Sequence, residues 1–196
     1  MKFDKTIQDF LKGNQFSNGI KVEVSQSETT ILSCLEILDK LLKKQKVVHL
    51  GCCDHIPIIE GKRKNNLWIH SRITETTDKY FGVDINEEGI NYLKSKLKYK
   101  DLVCADIQKD EIPEINNDSW DYILLGEILE HIDNPVKFLS SIRERYFGTI
   151  NKMIVSVPNA FRDNNFINNK NHVEIINSDH RFWFTPYTLA KVFTSA

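Results

Sequence analysis

From residue 46 onward the hydrophobic positions fall in short continuous runs, separated by stretches in which they recur at helical spacing. That alternation predicts parallel strands buried on both faces, joined by crossover helices. Five strands are expected, at residues 46–50, 80–83, 102–105, 122–125 and 153–157. Helices are expected over 65–77, over 86–97 with Ile90, Leu93 and Leu97 on one face, and over 135–146 with Val136, Leu139, Ile142 and Tyr146 on one face. Pro135 suits a first helical turn. Upstream, Ile31, Leu35, Leu38 and Leu42 carry a helical stripe through 27–44, with Ser27 and Glu28 as its expected start. A short helix over 2–11 should end near Gly13, and Val22 and Val24 alternate only briefly after it. Residues 1–26 therefore read as an N-terminal appendage and 27–196 as one domain. The asparagine-rich stretch 164–171 reads as a loop.

At 196 residues, against about 150 per domain, one domain is expected. A hydrophobic fraction of 41% with 10% aromatics supplies a real core, which excludes general disorder. The 26 basic and 27 acidic residues leave a net charge of −1. No global field then holds a polyanion, and no nucleic-acid partner is expected, although a local basic face stays open. The Lys94, Lys96, Lys98, Lys100 run reads as a solvated helix end. No apolar run approaches the ~18 residues of a membrane helix, and the first ten residues lack a signal peptide's apolar block. A cytoplasmic protein without membrane contact is expected. Cys34, Cys52, Cys53 and Cys104 show no C-x-x-C spacing, so reduced thiols are the default. The knot His49, Cys52, Cys53, Asp54, His55 holds ligand-type side chains, but adjacent residues seldom aim at one ion, and no metal is expected.

In an open parallel sheet ligands sit beyond the carboxyl ends of the strands, so the residues just after each strand carry the information. Gly51-Cys52-Cys53-Asp54-His55 follows the first strand, Asp84-Ile85 the second, Asp106-Ile107 the third and Gly126-Glu127 the fourth. A glycine turn and two successive strand-end carboxylates suit a ligand with a diol and an amine-bearing ring. A dinucleotide fold would need G-x-G-x-x-G and an acid about 20 residues on. Gly51-Cys52-Cys53-Asp54-His55-Ile56 lacks the glycines, and Asp84 lies 33 positions past Gly51.

Taken in order, Val47 to Cys52, Phe81-Gly82-Val83-Asp84-Ile85 and Gly126-Glu127-Ile128-Leu129-Glu130-His131-Ile132 resemble the class I S-adenosylmethionine-dependent methyltransferases. The stretch Asp179 to Pro186 is similar to the acceptor-side loop of the ubiquinone- and glycan-type members. The resemblance implies an α/β fold, a Rossmann-like three-layer αβα sandwich with a mainly parallel sheet in the order 3-2-1-4-5. It also implies S-adenosyl-L-methionine as cofactor. Gly51 would let the backbone approach the methionine part, Asp84 would take both ribose hydroxyls, and Asp106 would meet the adenine amino group. Ile85 and Ile107 would wall the ring, and Gly126 and Glu127 would lie near the methionine end. His49 stands where the family has an acid, and Cys53 and His55 where it has glycines; His49 and Cys53 are carried over as cofactor-site positions. In that family the chain would continue past a helix starting at 185–189 into an antiparallel strand pair, and this one stops at Ala196.

The implied activity is methyl transfer to a small-molecule or saccharide acceptor, by expectation at oxygen. His131 and His180 are the candidate proton acceptors. Glu127 and His131, four apart, would share a helical face. His172, His180 and Trp183 fall in the long connection after the fifth strand, where this topology builds acceptor pockets. The competing reading is a methyltransferase-like binding or scaffold domain without turnover. With residues 164–183 covering the edge of the fifth strand, a monomer or weak dimer is expected.

Overall fold

The structure is a computed structural model that describes residues 3–23 and 32–196. Its centre is one all-parallel sheet of β1 (Lys46–Leu50), β2 (Lys79–Asp84), β3 (Leu102–Cys104), β4 (Trp120–Gly126) and β5 (Ile150–Ser156), in the order β3-β2-β1-β4-β5. The order is the expected one, and each strand lies within three residues of its expected bounds. The register sets Val48 beside Phe81 of β2 and Ile123 of β4. Val47, Val48, Val83, Leu124 and Leu125 are fully buried, which is why these strands read as unbroken apolar runs.

The flanking helices are α1 (Lys5–Leu11), α2 (Cys34–Leu42), α3 (Ile56–Lys64), α4 (Ile69–Thr76), α5 (Glu87–Ser95), α6 (Pro113–Asn116), α7 (Pro135–Tyr146), α8 (Asp163–Lys170) and α9 (Pro186–Ser195). The start expected for α2 at Ser27 and Glu28 lies outside the described residues, as do Val24 and Ile31. The described helix begins at Cys34. Ser33 caps it, its hydroxyl accepting from the Glu36 amide while the Glu36 carboxylate accepts from the Ser33 amide. Leu38 and Leu42 then pack with Ile73 of α4 against Val47 and Leu124. Residues 65–77 are not one helix: a turn at 65–68 precedes α4, and α3 lies before it. Only Ile59 of α3 is buried, so apolar periodicity could not reveal this helix; Pro57 in its first turn and Lys62, Arg63, Lys64 in its last are its readable marks. The stretch expected as an asparagine loop is helix α8, which buries no side chain. A helix with no apolar face leaves no periodic signal.

The chain separates into two compact units. One comprises residues 32–128 and 141–156 and contains the sheet. The other gathers the described part of 1–31 with 129–140 and 157–196. Within the latter, Lys191 Nζ of α9 donates to the Phe10 and Leu11 carbonyls at the end of α1, at 2.8 and 2.6 Å. This is the cation-to-carbonyl pairing that helix C-termini favour. No helix among the described residues is long and apolar enough to cross a membrane.

Candidate functional site

The strand ends of the sheet unit come together around Asp84. β1 stops at Gly51, whose φ of +70° opens the turn; a Cβ there would lie 2.4 Å from Ile128 Cδ1, so a larger residue would have to displace that side chain as well as adopt a left-handed backbone. The turn bends the chain so that the Cys53 amide donates to Asp84 Oδ2 at 2.9 Å, while the Asn86 amide donates to Oδ1 at 2.9 Å. The carboxylate therefore pins the loop after β1 to the start of α5. Each oxygen keeps a second acceptor site, so both can still take a ligand hydroxyl. Asp84 is 8% exposed, whereas Ile85 beside it is 76% exposed and offers a bare apolar wall. Ile107, expected as the second wall, is buried in the core at 3%. Asp106 accepts from Lys109 Nζ at 2.6 Å and from the Gln108 amide at 3.0 Å. The Lys109 ammonium, first, holds this carboxyl below its usual range.

Gly126 ends β4, and a Cβ on it would lie 3.0 Å from Ile69 Cδ1 and 3.8 Å from His49 Nε2. Glu127 follows at φ +56°, a left-handed conformation uncommon without glycine, and its amide donates to the Ser156 carbonyl at 3.0 Å. Left-handed residues of this kind concentrate at functional sites. His49 is buried, its Nδ1 3.1 Å from Nδ1 of the fully buried His70, with the rings stacked. One shared proton satisfies both atoms, so both rings are neutral. Burial lowers both: His49 lies well below its usual value, and His70 falls to about 3. His70 Nε2 is buried without a partner. A lone pair there costs less than an orphan N–H, which makes His70 the donor and leaves the hydrogen of His49 on Nε2.

In the other unit, His131 and His180 meet edge to face with ring centroids 4.7 Å apart. His131 ends a 3₁₀ turn, Leu129–His131. The Arg181 amide donates to the Glu130 carbonyl at 2.8 Å and its guanidinium pairs with Asp133, which ties the late connection to this turn. Glu130, not singled out from sequence, has a wholly buried carboxylate 3.8 Å from His180 Nε2. Burial, ahead of the neighbouring His131 and Arg162, lowers His180. The ligand atoms of Glu130, His131 and His180 all lie within 4.8 Å of one another, as do those of Cys52, Cys53 and Asp84. No metal was expected at the knot His49 to His55 because adjacent residues were taken to diverge; Cys52 and Cys53 converge there, and Glu130 and His131 converge at a place the sequence did not single out for a metal. A Glu-His pair followed much later by a histidine was the available signal. His172 is exposed, and Trp183 donates to Glu174 Oε1 at 2.8 Å.

Residues 66–145, from before α4 to near the end of α7, match the family model described as a methyltransferase domain. No curated protein matches the chain. Among solved structures, the small RNA methyltransferase HEN1 is similar over 90% of this chain and 23% of its own, at 18% identity and a TM-score of 0.54. A candidate methyltransferase from Bacillus halodurans C-125 is similar over 82% of this chain and 66% of its own, at 12% identity and a TM-score of 0.52. The chain thus spans less than two thirds of either, and at these identities the likeness is one of fold. The methyltransferase-domain model is matched from before α4 to α7 and the sheet runs in the order 3-2-1-4-5, so residues 66–145 carry a methyltransferase-domain match on the Rossmann-like fold that the resemblance implied.

Proposed function

We propose that residues 27–196 transfer the methyl group of S-adenosylmethionine to a sugar hydroxyl, with Glu130, His131 and His180 holding a divalent cation for the acceptor. The convergence of one carboxylate and two imidazoles carries this reading. Oxygen and nitrogen donors without thiolate suit Mg²⁺ or Mn²⁺ through Zn²⁺. A cation held there by Glu130, His131 and His180 would lower the pKa of a bound hydroxyl towards neutrality. His131 and His180 are then ligands in place of the proton acceptors expected from sequence.

On the donor side Asp84 accepts both ribose hydroxyls, held in place by the Cys53 and Asn86 amides. Ile85 covers one face of the adenine. Gly51 and Gly126 leave room at the methionine end, beside the Nε2–H of His49. The acceptor oxygen forms its bond to the methyl carbon as the carbon–sulfur bond breaks in line, releasing S-adenosylhomocysteine; the hydroxyl proton leaves to solvent. Alignment of the two substrates is the protein's main contribution.

A ribose hydroxyl of RNA is the acceptor we favour over a free saccharide, on the likeness to a small RNA methyltransferase across nine tenths of this chain. The net charge of −1 then calls for a local contact with the nucleic acid in place of a global field. Radiolabelled S-adenosylmethionine with Mn²⁺ tests this on RNA oligonucleotides with free or 2′-O-methylated riboses. Label should enter only the free-hydroxyl RNA. Label confined to free saccharides would return the acceptor to the small-molecule class, and cofactor binding without transfer to any hydroxyl would leave a scaffold.

Asp84→Ala is expected to weaken S-adenosylhomocysteine about 10- to 100-fold by calorimetry, because hydrogen bonds to a charged acceptor contribute roughly 1.5–3 kcal/mol. Asp106→Ala should cost less, since Lys109 and Gln108 already occupy that carboxylate. The reverse order would exchange the two roles.

A further inference from the structure

The dithiol after β1 has no part in the methyl-transfer reading, yet its geometry is specific. Consecutive residues in extended chain point to opposite sides. Here the turn at Gly51 brings both thiols to one side, with the sulfurs and a carboxylate oxygen of Asp84 mutually within 4.8 Å. Two glycines make the space. A Cβ on Gly82 of β2 would lie 2.9 Å from Cys52 Sγ, and a Cβ on Gly89 of α5 would lie 2.9 Å from Cys53 Sγ. Cys52 is fully buried and Cys53 half-buried. Two sulfurs with one carboxylate form a soft donor set, distinct from the oxygen and nitrogen set of Glu130, His131 and His180. Zinc–sulfur bonds of about 2.3 Å need only a modest contraction of the trio and leave a fourth tetrahedral position for water.

We propose that Cys52, Cys53 and Asp84 form a binding site for a thiophilic divalent cation, of the Zn²⁺ or Cd²⁺ class, whose occupancy excludes the methyl donor. The exclusion rests on the cofactor reading above, in which Asp84 accepts the ribose hydroxyls. A carboxylate bound to the ion turns from that diol and from the Cys53 and Asn86 amides that hold the loop. The two thiols release their protons as the ion binds, and no electron is transferred. The site would make methyl transfer sensitive to free thiophilic metal, through competition for one side chain.

Cadmium is the probe, because its thiolate charge-transfer absorption reports sulfur ligation apart from any ion at the histidine site. The Cys34→Ser/Cys104→Ser variant should bind Cd²⁺ with that absorption. At a Cd²⁺ concentration ten times its own Kd, the apparent Kd for S-adenosylhomocysteine should rise about tenfold. In Cys53→Ser the absorption should be lost and cofactor affinity should no longer respond to Cd²⁺. Should that variant fail to fold, protection of Cys52 and Cys53 from alkylation by Cd²⁺, mapped by peptide mass in the unsubstituted chain, reads the same ligation. Absence of the absorption, its persistence in Cys53→Ser, or an unprotected pair would overturn the site. Unaltered S-adenosylhomocysteine affinity at saturating Cd²⁺ would overturn the exclusion. Cadmium ligation in a chain that binds no S-adenosylhomocysteine would instead remove the cofactor reading and leave the ion site standing.

Discussion

Replacing Glu130 by glutamine is expected to abolish most methyl transfer, lowering kcat on the order of 10²- to 10⁴-fold. A cation held by Glu130 would supply several kcal/mol of stabilisation to the developing alkoxide, and each ~1.4 kcal/mol is a factor of ten. Glutamine keeps the volume of a wholly buried side chain and removes its charge, so the fold should persist. S-adenosylhomocysteine affinity should stay within a few-fold, because the donor side is built on Asp84 in the sheet unit. The discriminating measurement is the Mn²⁺ dependence of rate: the variant should need far more metal, and a chelator should silence the unsubstituted chain. Full activity in the presence of chelator would return His131 and His180 to the role of proton acceptors.

The second large effect is loss of stability in acid, and it comes from His49 and His70. Both rings are neutral in the folded protein, His70 with a pKa of about 3 and His49 well below 6.5. In the unfolded chain both protonate near 6.5. Between these values the unfolded state binds more protons, so stability is fully present above about pH 6.5 and falls as pH drops towards 3. Each histidine contributes a slope of up to about 1.4 kcal/mol per pH unit. Urea unfolding at pH 8, 6.5, 5.5 and 4.5 should therefore show a steep decline below 6.5. His70→Phe, placed among Trp68, Tyr80 and Tyr99, should flatten that decline by about half. A stability profile level from pH 8 to 4.5 would mean that both rings protonate in the folded chain as readily as in the unfolded one.

Some of this was legible because it rests on local periodicity. The five buried strands announce themselves as apolar runs, and α7 as a stripe opened by Pro135, because burial on two faces or one imposes those spacings. Asp84, Gly51 and Gly126 could be singled out because strand ends are where a parallel sheet offers ligands its backbone. Helices α3 and α8 escaped notice because they bury one residue and none.

What lay beyond the sequence is the direction of individual side chains. His49 was placed by its position in β1, but nothing local points it at His70, 21 residues on and across from it only in the folded sheet unit. Ile85 and Ile107 look equivalent in sequence, yet one is exposed and one is core. Cys52 and Cys53, and Glu130 and His131, would diverge in regular strand. The positive φ of Gly51 and the 3₁₀ turn at Leu129–His131 bend the chain at these two pairs. The sequence by itself determined the five parallel strands and which residues stand at their ends, since these follow from hydrophobic spacing, while the order of the strands and the roles of those residues came with the resemblance to the methyltransferases. Only the tertiary structure decided which adjacent side chains converge with a distant one, because convergence depends on backbone turns and on packing partners that no local pattern specifies.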